Sequence, residues 1–255
     1  MPSYAPPLRD MQFVLHEVLK VTEVYKTSMP AHADVDVDTI NAVLEEAGKF
    51  AAHVVQPLNQ IGDRQGCTLN VQTHEVQTPD GFKEAYAQYC EAGWPALSCV
   101  PEFGGQGLPH VVNQCFYEML NASNQAWTMY PGLSHGAYEA LLAHGTPEQK
   151  EKFLPGIAAG EIVFAIGYSE PGAGTDLATL KTTAAVQDDK FVVNGNKLWT
   201  SGAEAADYIW LAARTDPDLP RHKGISIIIL DTTSKGFSHT VIQTLSNPTA
   251  ATYYD

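Results

Sequence analysis

Residues 162–202 read IVFAIGYSEPGAGTDLATLKTTAAVQDDKFVVNGNKLWTSG, and this stretch decides the fold. It begins with an apolar run, continues as a polar loop that glycines interrupt, and then alternates between apolar and polar residues. Alternation with a period of two, rich in β-branched residues, is typical of β-strands. Asn194-Gly195 is the predicted hairpin turn, because both positions tolerate positive φ. The predicted strands are 182–186, 190–193, 197–200, 208–213 and 225–230.

The sequence before Gly160 has a different pattern, with apolar residues at the spacing of a helix. We predict one helical stripe within the first 30 residues and a second one after Asp38, whose carboxylate would cap that helix. Thr146 to Gln149 predicts the start of another helix, since a hydroxyl N-cap is followed by proline and, at the third position, glutamine. Further helices are predicted at 79–92, 109–122 and 132–144. The two stripes are Phe13, Val14, Val18, Val21 and Tyr25, and Ile40, Val43, Leu44, Ala47, Ala51 and Val54.

Helices first and strands second, without alternation, predict an α+β protein without a parallel βαβ sheet. We predict a helical extension at 1–35, a helical domain at 36–160 and a mainly antiparallel, barrel-like β domain at 161–255. The segment 215–224 is predicted to be an exposed loop, because it holds two prolines and four charged residues. Residues 251–255 resemble a strand without a terminal cap, so we expect the polypeptide to continue beyond them.

The composition bears on several functional classes. Hydrophobic residues make up 44% and charged residues 17% of the 255 positions, as in folded globular proteins. A net charge of −14 argues against nonspecific nucleic-acid binding, which needs a basic surface. Every apolar run is shorter than the ~20 residues that a membrane helix needs. The four cysteines form no C-x-x-C pair, which predicts reduced thiols in a cytoplasmic protein.

Several local patterns have a simple structural interpretation. The glycines at 172–176 do not make a dinucleotide-binding loop, since the third glycine position falls on Leu177 and no helix follows. Nine histidines occur, but none are spaced as H-x-x-x-H or H-E-x-x-H. We therefore predict no metal site, and we expect His16 and His135 to be solvated or hydrogen-bonded.

Two tryptophans leave two interpretations open. Trp199 is predicted to lie in a strand just before Thr200 and Ser201, where a planar ring beside two hydroxyls would suit a flat cofactor. The alternative is a buried strand tryptophan whose N–H is hydrogen-bonded. In the same way, Trp127 and Tyr130 could line a site or could be core aromatics.

Residues 168–177 (YSEPGAGTDL) and 197–201 (KLWTS) together resemble the flavin-binding segments of the acyl-CoA dehydrogenase family. Residues 101–108 resemble that family's loop between helices, and 141–155 resemble the helix pair that precedes its β domain. The resemblance extends over about residues 36–255. The additional residues 4–15 are similar to the leader of a larger subgroup, which includes 3-(methylthio)propanoyl-CoA dehydrogenase.

The resemblance implies an FAD-dependent α,β-dehydrogenation of an acyl-CoA thioester by a homo-oligomer that passes electrons to an electron-transfer flavoprotein. It implies that the Ser169 hydroxyl binds the flavin pyrimidine edge, that Trp199 packs on the ring, and that Ser201 approaches N5. It also puts Thr175 near the thioester end of the substrate. The implied cofactor contacts are Ile166, Gly167, Tyr168, Ser169, Gly174, Thr175, Trp199, Thr200 and Ser201, and the implied acyl-pocket residues are Trp127, Thr128, Tyr130 and Pro131.

The sequence departs from the family pattern at Tyr168, where a small aliphatic residue is usual, and at Ile166, where many members have tyrosine. The family's catalytic base is a glutamate of a C-terminal helical domain, which we expect beyond Asp255. We therefore assign no catalytic residue here, exclude Glu170 as the base, and expect the chain alone to be inactive. The alternatives are a flavin acyl-CoA oxidase or monooxygenase, and a non-catalytic module that binds flavin or acyl-CoA.

Overall fold

A computed structural model of the chain describes residues 4–70, 72–73, 75–242 and 253–254. The chain divides into two compact units. The helical unit comprises Met1–Gly66 and Thr78–Glu161, and the β unit comprises Cys67–Gln77 and Ile162–Asp255. Helices precede strands along the chain, which confirms the predicted α+β class. The sequence did not predict that 67–77 joins the β unit, where strand β1 (Thr68–Leu69) pairs antiparallel with β2 (Val76–Gln77).

The first helices differ from the predicted stripe. Helix α1 (Leu8–Gln12) continues as a π-helix (Phe13–Val18), and helix α2 (Val21–Ser28) begins after Lys20, which has a φ of 50°. The prediction was wrong for the first half of the stripe, because a π-turn holds more residues than an α-turn and shifts the inward face. The exposed residues are Phe13, Val14 and Val18, and the buried ones are Met11, Leu15, Val21 and Tyr25.

The second stripe is largely confirmed. Helix α3 (Val37–Phe50) is followed by a π-helix (Ala51–Val55) and by helix α4 (Gln56–Gln65). The cap is Asp36 instead of the predicted Asp38, since Asp36 has the extended backbone of an N-cap and its Oδ1 accepts from Thr39 N at 2.8 Å. Ile40, Leu44, Ala47, Ala51 and Val55 are buried, whereas Val43 and Val54 are half-buried.

Helix α5 (Phe82–Glu91) is followed by α6 (His110–His144) and α7 (Pro147–Ala159). Helix α6 is broken at Asn124, which has a φ of −162° and a ψ of 91°. The ring centroids of His110 and His135 are 5.7 Å apart, whereas a straight helix would separate these residues by roughly 37 Å. The chain therefore reverses at Asn124, and α6 is a helical hairpin. This confirms two helices, although the second begins before the predicted residue 132.

The predicted start of α7 is confirmed in detail. Thr146 Oγ1 accepts a hydrogen bond from Gln149 N at 3.3 Å, and Gln149 Oε1 accepts one from Thr146 N at 2.9 Å. This reciprocal capping box binds two backbone N–H groups that the helix itself leaves without partners. The helix ends at Gly160, whose φ of 74° favours glycine.

The main sheet of the β unit consists of five strands: β3 (Phe164–Gly167), β4 (Thr183–Gln187), β5 (Lys190–Asn194), β6 (Tyr208–Arg214) and β7 (Ile225–Asp231). One edge of β6 pairs antiparallel with β7. Its other edge pairs parallel with β3 and, through Thr183 and Arg214, with β4. Strands β4 and β5 form an antiparallel hairpin. The connections between the parallel strands contain a short 3₁₀ turn (Leu177–Thr179) and no α-helix, and the described strands form no closed barrel.

Two shorter elements complete the described β unit. Strand β8 (Val241–Ile242) pairs antiparallel with β9 (Tyr253–Tyr254). The segment 215–224 is confirmed as a mostly exposed loop, which ends in a 3₁₀ turn (Arg221–Gly224). The rest of the predicted strand-like segment 251–255 lies outside the described residues.

Four of the five predicted strands are confirmed, and 197–200 is wrong because it forms a loop. The predicted hairpin turn is also wrong: the β4–β5 turn is Asp188-Asp189, where both residues have positive φ, as a tight two-residue turn requires. Gly195 is needed for a different reason. A Cβ at this position would lie 2.6 Å from Thr182 Cβ, so only glycine lets the two segments approach.

Two further observations bear on the class of protein. Among the described residues, every helix is too short or too polar to cross a lipid bilayer. All four cysteines are free thiols, with Cys67 and Cys99 buried and Cys90 and Cys115 half-buried.

Candidate cofactor-binding site

The first candidate segment is the loop that follows strand β3, residues 168–176, named here the first loop. It leaves the sheet at Gly167, where a Cβ would lie 2.8 Å from Ile209 Cγ2, so glycine permits close packing on β6. The loop then turns tightly. Glu170 N donates to Ala173 O at 2.7 Å, and Ala173 N donates to Glu170 O at 3.1 Å. Gly174 and Thr175 lie beyond this turn and are exposed.

The second candidate segment is the loop 195–202, named here the second loop. Trp199 has a φ of 64°, a left-handed conformation that is rare for a bulky residue. The side chain of Trp199 is 53% exposed, whereas the next residue, Thr200, is buried. Ser201 is half-buried, and its N–H donates to Trp199 O at 3.1 Å. This backbone conformation places the ring outward and the threonine hydroxyl inward.

The two loops are joined side by side by three hydrogen bonds. Leu198 N donates to Ser169 O at 2.9 Å. Lys197 Nζ donates to Tyr168 O at 3.1 Å and to Glu170 Oε1 at 2.8 Å. The bond from Leu198 to Ser169 brings the two candidate segments together, and their contact with a cofactor stays a prediction.

The ion pair of Lys197 and Glu170 is buried, with side chains only 9% and 6% exposed. The Glu170 carboxylate also accepts from Lys181 N at 2.6 Å and from Thr182 N at 2.9 Å. Burial alone would raise the pKa of Glu170, but hydrogen bonds from Lys197, Thr182 and Lys181 outweigh burial and lower the pKa to about 2. Glu170 is therefore a carboxylate at neutral pH.

The Lys197 ammonium is subject to opposing effects. Burial lowers the pKa of Lys197, and the hydrogen bond and charge of Glu170 raise it. The pKa of Lys197 is lower than usual, which disfavours its charged form, whereas the low pKa of Glu170 favours the charged carboxylate. We treat the pair as ionised at neutral pH, because an ammonium within 2.8 Å of a carboxylate that is held charged by other donors is itself stabilised.

Thr200 occupies a different position from the other predicted contacts. It lines a cavity of about 670 Å³ together with Lys197 and Thr182. The Oγ1 atoms of Thr200 and Thr182 are buried, and neither has a hydrogen-bond partner among the described residues. Ser169, Trp199 and Ser201 are thus partly accessible to solvent, whereas the Thr200 hydroxyl is turned toward the interior.

The predicted acyl-pocket residues lie in the helical unit. Trp127 is 1% exposed, and its Nε1 donates to Phe82 O at 3.2 Å. Thr128 is buried, and its hydroxyl donates to Asn124 O at 2.9 Å. These two residues have the contacts of core residues, which favours that alternative interpretation of Trp127.

The other two predicted acyl-pocket residues differ from each other in burial, since Pro131 is buried and Tyr130 is not. Tyr130 is half-buried, and Pro131 lines a small cavity of about 20 Å³. A cavity of this size accommodates about one water molecule. The assignment of all four residues to an acyl pocket stays a prediction.

Sequence reasoning missed the role of Lys197. It lies 27 positions from Glu170, so no local spacing connects the two residues. The one available indication is that Lys197 begins a segment that was predicted to be a buried strand. Such a lysine requires a nearby anion, but the sequence does not identify which one.

Comparison with known proteins identifies the class. The family models "Acyl-CoA dehydrogenase, N-terminal domain" and "Acyl-CoA dehydrogenase, middle domain" match residues 38–161 and 165–254. The chain belongs to the acyl-CoA dehydrogenase family.

Three related proteins illustrate the similarity. Acyl-CoA dehydrogenase FadE26 of Mycobacterium tuberculosis is 47% identical over 178 residues, which are 68% of this chain and 44% of that protein. The 3-methylmercaptopropionyl-CoA dehydrogenase of Ruegeria pomeroyi is 31% identical over 233 residues, 89% of this chain and 39% of that protein. A solved structure titled Tcur3481-Tcur3483 steroid ACAD has 39% identity and a TM-score of 0.68, and covers 84% of this chain and 53% of its own. The chain thus spans about half the length of these relatives or less.

Proposed function

We propose that residues 1–255 are the N-terminal part of an FAD-dependent enzyme that dehydrogenates an acyl-CoA thioester between its α and β carbons. The observation that carries this proposal is the match of both acyl-CoA dehydrogenase family models, and the conformation of Trp199 indicates where the site lies. A bulky residue with a φ of 64° and a half-exposed ring is strained, and such strain concentrates at functional sites. The second loop is held in this form by the buried Lys197 and by the bond from Leu198 to Ser169.

The residues at the rim of the two loops fit a flavin. Trp199 offers a flat apolar face, while Ser169 and Ser201 are half-buried serines of the two joined loops whose hydroxyl groups could bind the flavin. Ile166, Gly167, Tyr168, Gly174 and Thr175 would complete the contacts that the family resemblance implies, whereas the buried hydroxyl of Thr200, which the resemblance also implies, is turned away from them. Bound FAD would supply the hydride acceptor for the reaction. The role of this chain's residues is to bind and orient the ring and to donate hydrogen bonds to it.

The structure supplies a reason why Glu170 is not the catalytic base. Three donors occupy its carboxylate, and a pKa of about 2 makes it too weak a base to remove an α-proton near neutral pH. We propose that the base belongs to another part of the complete protein. Residues 1–255 alone should then show no dehydrogenase activity with a dye acceptor.

The test of the site uses the complete protein with FAD bound. Ser201→Ala should slow flavin reduction about tenfold, or ~1.4 kcal/mol, because a hydroxyl that donates to the ring favours its more negative reduced form. The matched control is Ser238→Ala, an exposed serine of the same unit. Rapid mixing with substrate measures the bleaching of the flavin. Equal rates for Ser201→Ala and the wild type would remove Ser201 from the site.

The substrate and the electron acceptor can be identified in the same assay. A panel of thioesters should include a simple acyl-CoA, 3-methylmercaptopropionyl-CoA and a steroid CoA thioester, since the names of the relatives mention an acyl-CoA, 3-methylmercaptopropionyl-CoA and a steroid. Electron-transfer flavoprotein should reoxidise the reduced enzyme faster than oxygen does. Faster reoxidation by oxygen, with peroxide formed, would instead favour an acyl-CoA oxidase.

Three further proposals concern the complete protein. We propose that it is a homo-oligomer, which light scattering would test, and that it works in the cytoplasm, which cell fractionation would test. We also propose that its β unit has a barrel-like form, which an experimental structure of the complete protein would test.

A further inference from the structure

The reversal of α6 at Asn124 brings three possible metal ligands together on the helical unit. They are His110 from the first arm of the hairpin and His135 and Glu139 from the second arm. One ligand atom of each residue lies within 4.8 Å of the other two. His135 Nε2 is 3.8 Å from Glu139 Oε1, and the two imidazole rings stack with an interplanar angle of 10°.

The imidazole rings lie in nearly parallel planes, so the exposed ring of His110 must turn before the lone pairs of both rings can point at one ion. Ligand atoms around a tetrahedral Zn²⁺ stand roughly 3.3 Å apart, since each lies about 2.0–2.2 Å from the metal. His135 and Glu139 are separated by four positions and so share one face of a helix. His110 and Glu139 are exposed, and their side chains can rotate to close the remaining gap without a backbone movement.

The hydrogen bonds around the imidazoles show which ring nitrogen carries a lone pair. Gln114 Nε2 lies 2.9 Å from His110 Nε2, and Asn113 Nδ2 lies 3.5 Å from His135 Nε2. An amide nitrogen can only donate, so both imidazole Nε2 atoms accept in this arrangement. These are the same lone pairs that would coordinate a metal. The ion would replace one amide donor at each ring, and the contact at 3.5 Å is a weak one to lose.

We propose that His110, His135 and Glu139 form a Zn²⁺ site that joins the two arms of α6. Two imidazoles and one carboxylate are a ligand set that zinc prefers, with water in the fourth position. Because the ligands come from both arms, a bound ion stabilises the reversal at Asn124. Metal that binds only the folded state also raises the stability of the helical unit by mass action.

The experiment titrates Zn²⁺ into the purified protein without a polyhistidine tag, followed by calorimetry. We expect one equivalent to bind to the wild type, and His110→Ala and His135→Ala to weaken binding at least tenfold. The matched control is His144→Ala, which removes an exposed histidine from the same helix and should leave binding unchanged. Circular dichroism verifies that each variant is folded, and His110 is exposed enough that its loss should not unfold the protein.

A second readout separates this site from scattered surface binding. Co²⁺ in a site of two imidazoles and a carboxylate gives visible absorption bands, which should appear for the wild type and be absent for His110→Ala. Zn²⁺ should also raise the Tm of the wild type and not that of His110→Ala. Lack of stoichiometric binding by the wild type would overturn the proposal, as would equal Zn²⁺ affinity in the wild type and His110→Ala.

Discussion

The helical unit and the β unit are stabilised by different kinds of contact. The core of the helical unit is a cluster of aromatic rings, in which Trp94 and Phe116 have centroids 4.4 Å apart and Phe116 is fully buried. The other rings of this cluster are Phe50, Tyr86, Tyr89 and Trp127. The largest described core cluster of the β unit is built mostly from small side chains, although a buried Phe164 packs elsewhere in the unit; its members are Ala165, Ala184, Ala203, Ala206 and Ala213, with Ile209 and Leu211.

This difference in core side chains indicates in which unit polar contacts contribute more to stability. Small side chains bury little apolar area each, so the β unit gains less from burial than a cluster of aromatic rings provides. The buried pair of Lys197 and Glu170, with its additional hydrogen bonds, therefore has a larger share in holding the two loops of the candidate site. We therefore expect the stability of the helical unit to depend mainly on the packing of its aromatic core. The stability of the β unit should depend more strongly on the ion pair of Lys197 and Glu170.

The two units can be followed separately in one sample. The four tryptophans divide equally, with Trp94 and Trp127 in the helical unit and Trp199 and Trp210 in the β unit. Replacement by 5-fluorotryptophan gives each residue its own ¹⁹F NMR signal. Urea titration of these signals yields a free energy of unfolding for each unit.

The largest effect is expected from Phe116→Ala. Removal of this fully buried ring should lower the free energy of unfolding of the helical unit by roughly 4 kcal/mol, because it loses apolar burial and leaves a cavity. The signals of Trp94 and Trp127 should report the change. Met129→Ala, at an exposed position of the same helix, is the control. A loss below about 1 kcal/mol would mean that the aromatic cluster is not the main support of this unit.

Lys197→Met should lower the free energy of unfolding of the β unit by about 3 kcal/mol, because it leaves Glu170 buried without its cation. This loss is at the low end of the usual range for removing one partner of a buried ion pair, because two backbone N–H groups still bind the Glu170 carboxylate. The double variant Lys197→Met with Glu170→Gln should recover part of the loss, and a double-mutant cycle measures the coupling. Equal losses in the single and double variants would contradict a specific pair.

Acid should destabilise the β unit through Glu170. The pKa of this group is about 2 in the folded state and 4.5 in the unfolded state, so its contribution is complete above pH 4.5 and disappears as the pH falls to about 2. The signals of Trp199 and Trp210 should show this loss in urea titrations across that window. In Glu170→Gln the free energy of unfolding of the β unit should depend less on pH, because the titrating carboxyl group is absent. An unchanged pH profile in that variant would show that other carboxylates cause the acid sensitivity.

A polar contact of the helical unit should matter less than the buried pair. Thr146→Ala should lower the free energy of unfolding of the helical unit by about 1 kcal/mol, because it removes half of the capping box of α7. Thr146→Ser keeps the hydroxyl and should retain most of the stability. A loss as large as that of Lys197→Met would weaken the contrast between the two units.

The smallest effect is expected from Arg221→Met in the β unit. Arg221 and Asp176 form an exposed ion pair at 3.3 Å, with side chains 68% and 53% accessible. Such pairs contribute less than about 0.5 kcal/mol, because water and salt screen them. The signals of Trp199 and Trp210 should therefore hardly move. A loss near that of Lys197→Met would show that burial does not decide the strength of ion pairs in this unit.

Local sequence patterns were most successful where the decisive contacts are local. The two residues of the capping box at Thr146 are only three positions apart. Four strands were predicted from an alternation that is visible within five or six residues. Local patterns were less successful at the turn, where Asn194-Gly195 was expected and Asp188-Asp189 occurs. Both pairs can adopt positive φ, so residue type alone does not distinguish them. The register of β4 against β5 places Asp188-Asp189 in the turn.

The sequence by itself determined the order of helices and strands, the family and the residues of the two candidate loops, because each depends on residues that are neighbours in the chain. The tertiary structure alone decided which of these residues meet. It paired Lys197 with Glu170 across 27 positions, turned Trp199 outward and Thr200 inward, and brought His110 to His135 through the reversal at Asn124. The physical reason is that burial and ion pairing depend on distances in space. Those distances are set by the packing of the whole unit and not by the spacing of residues in the sequence.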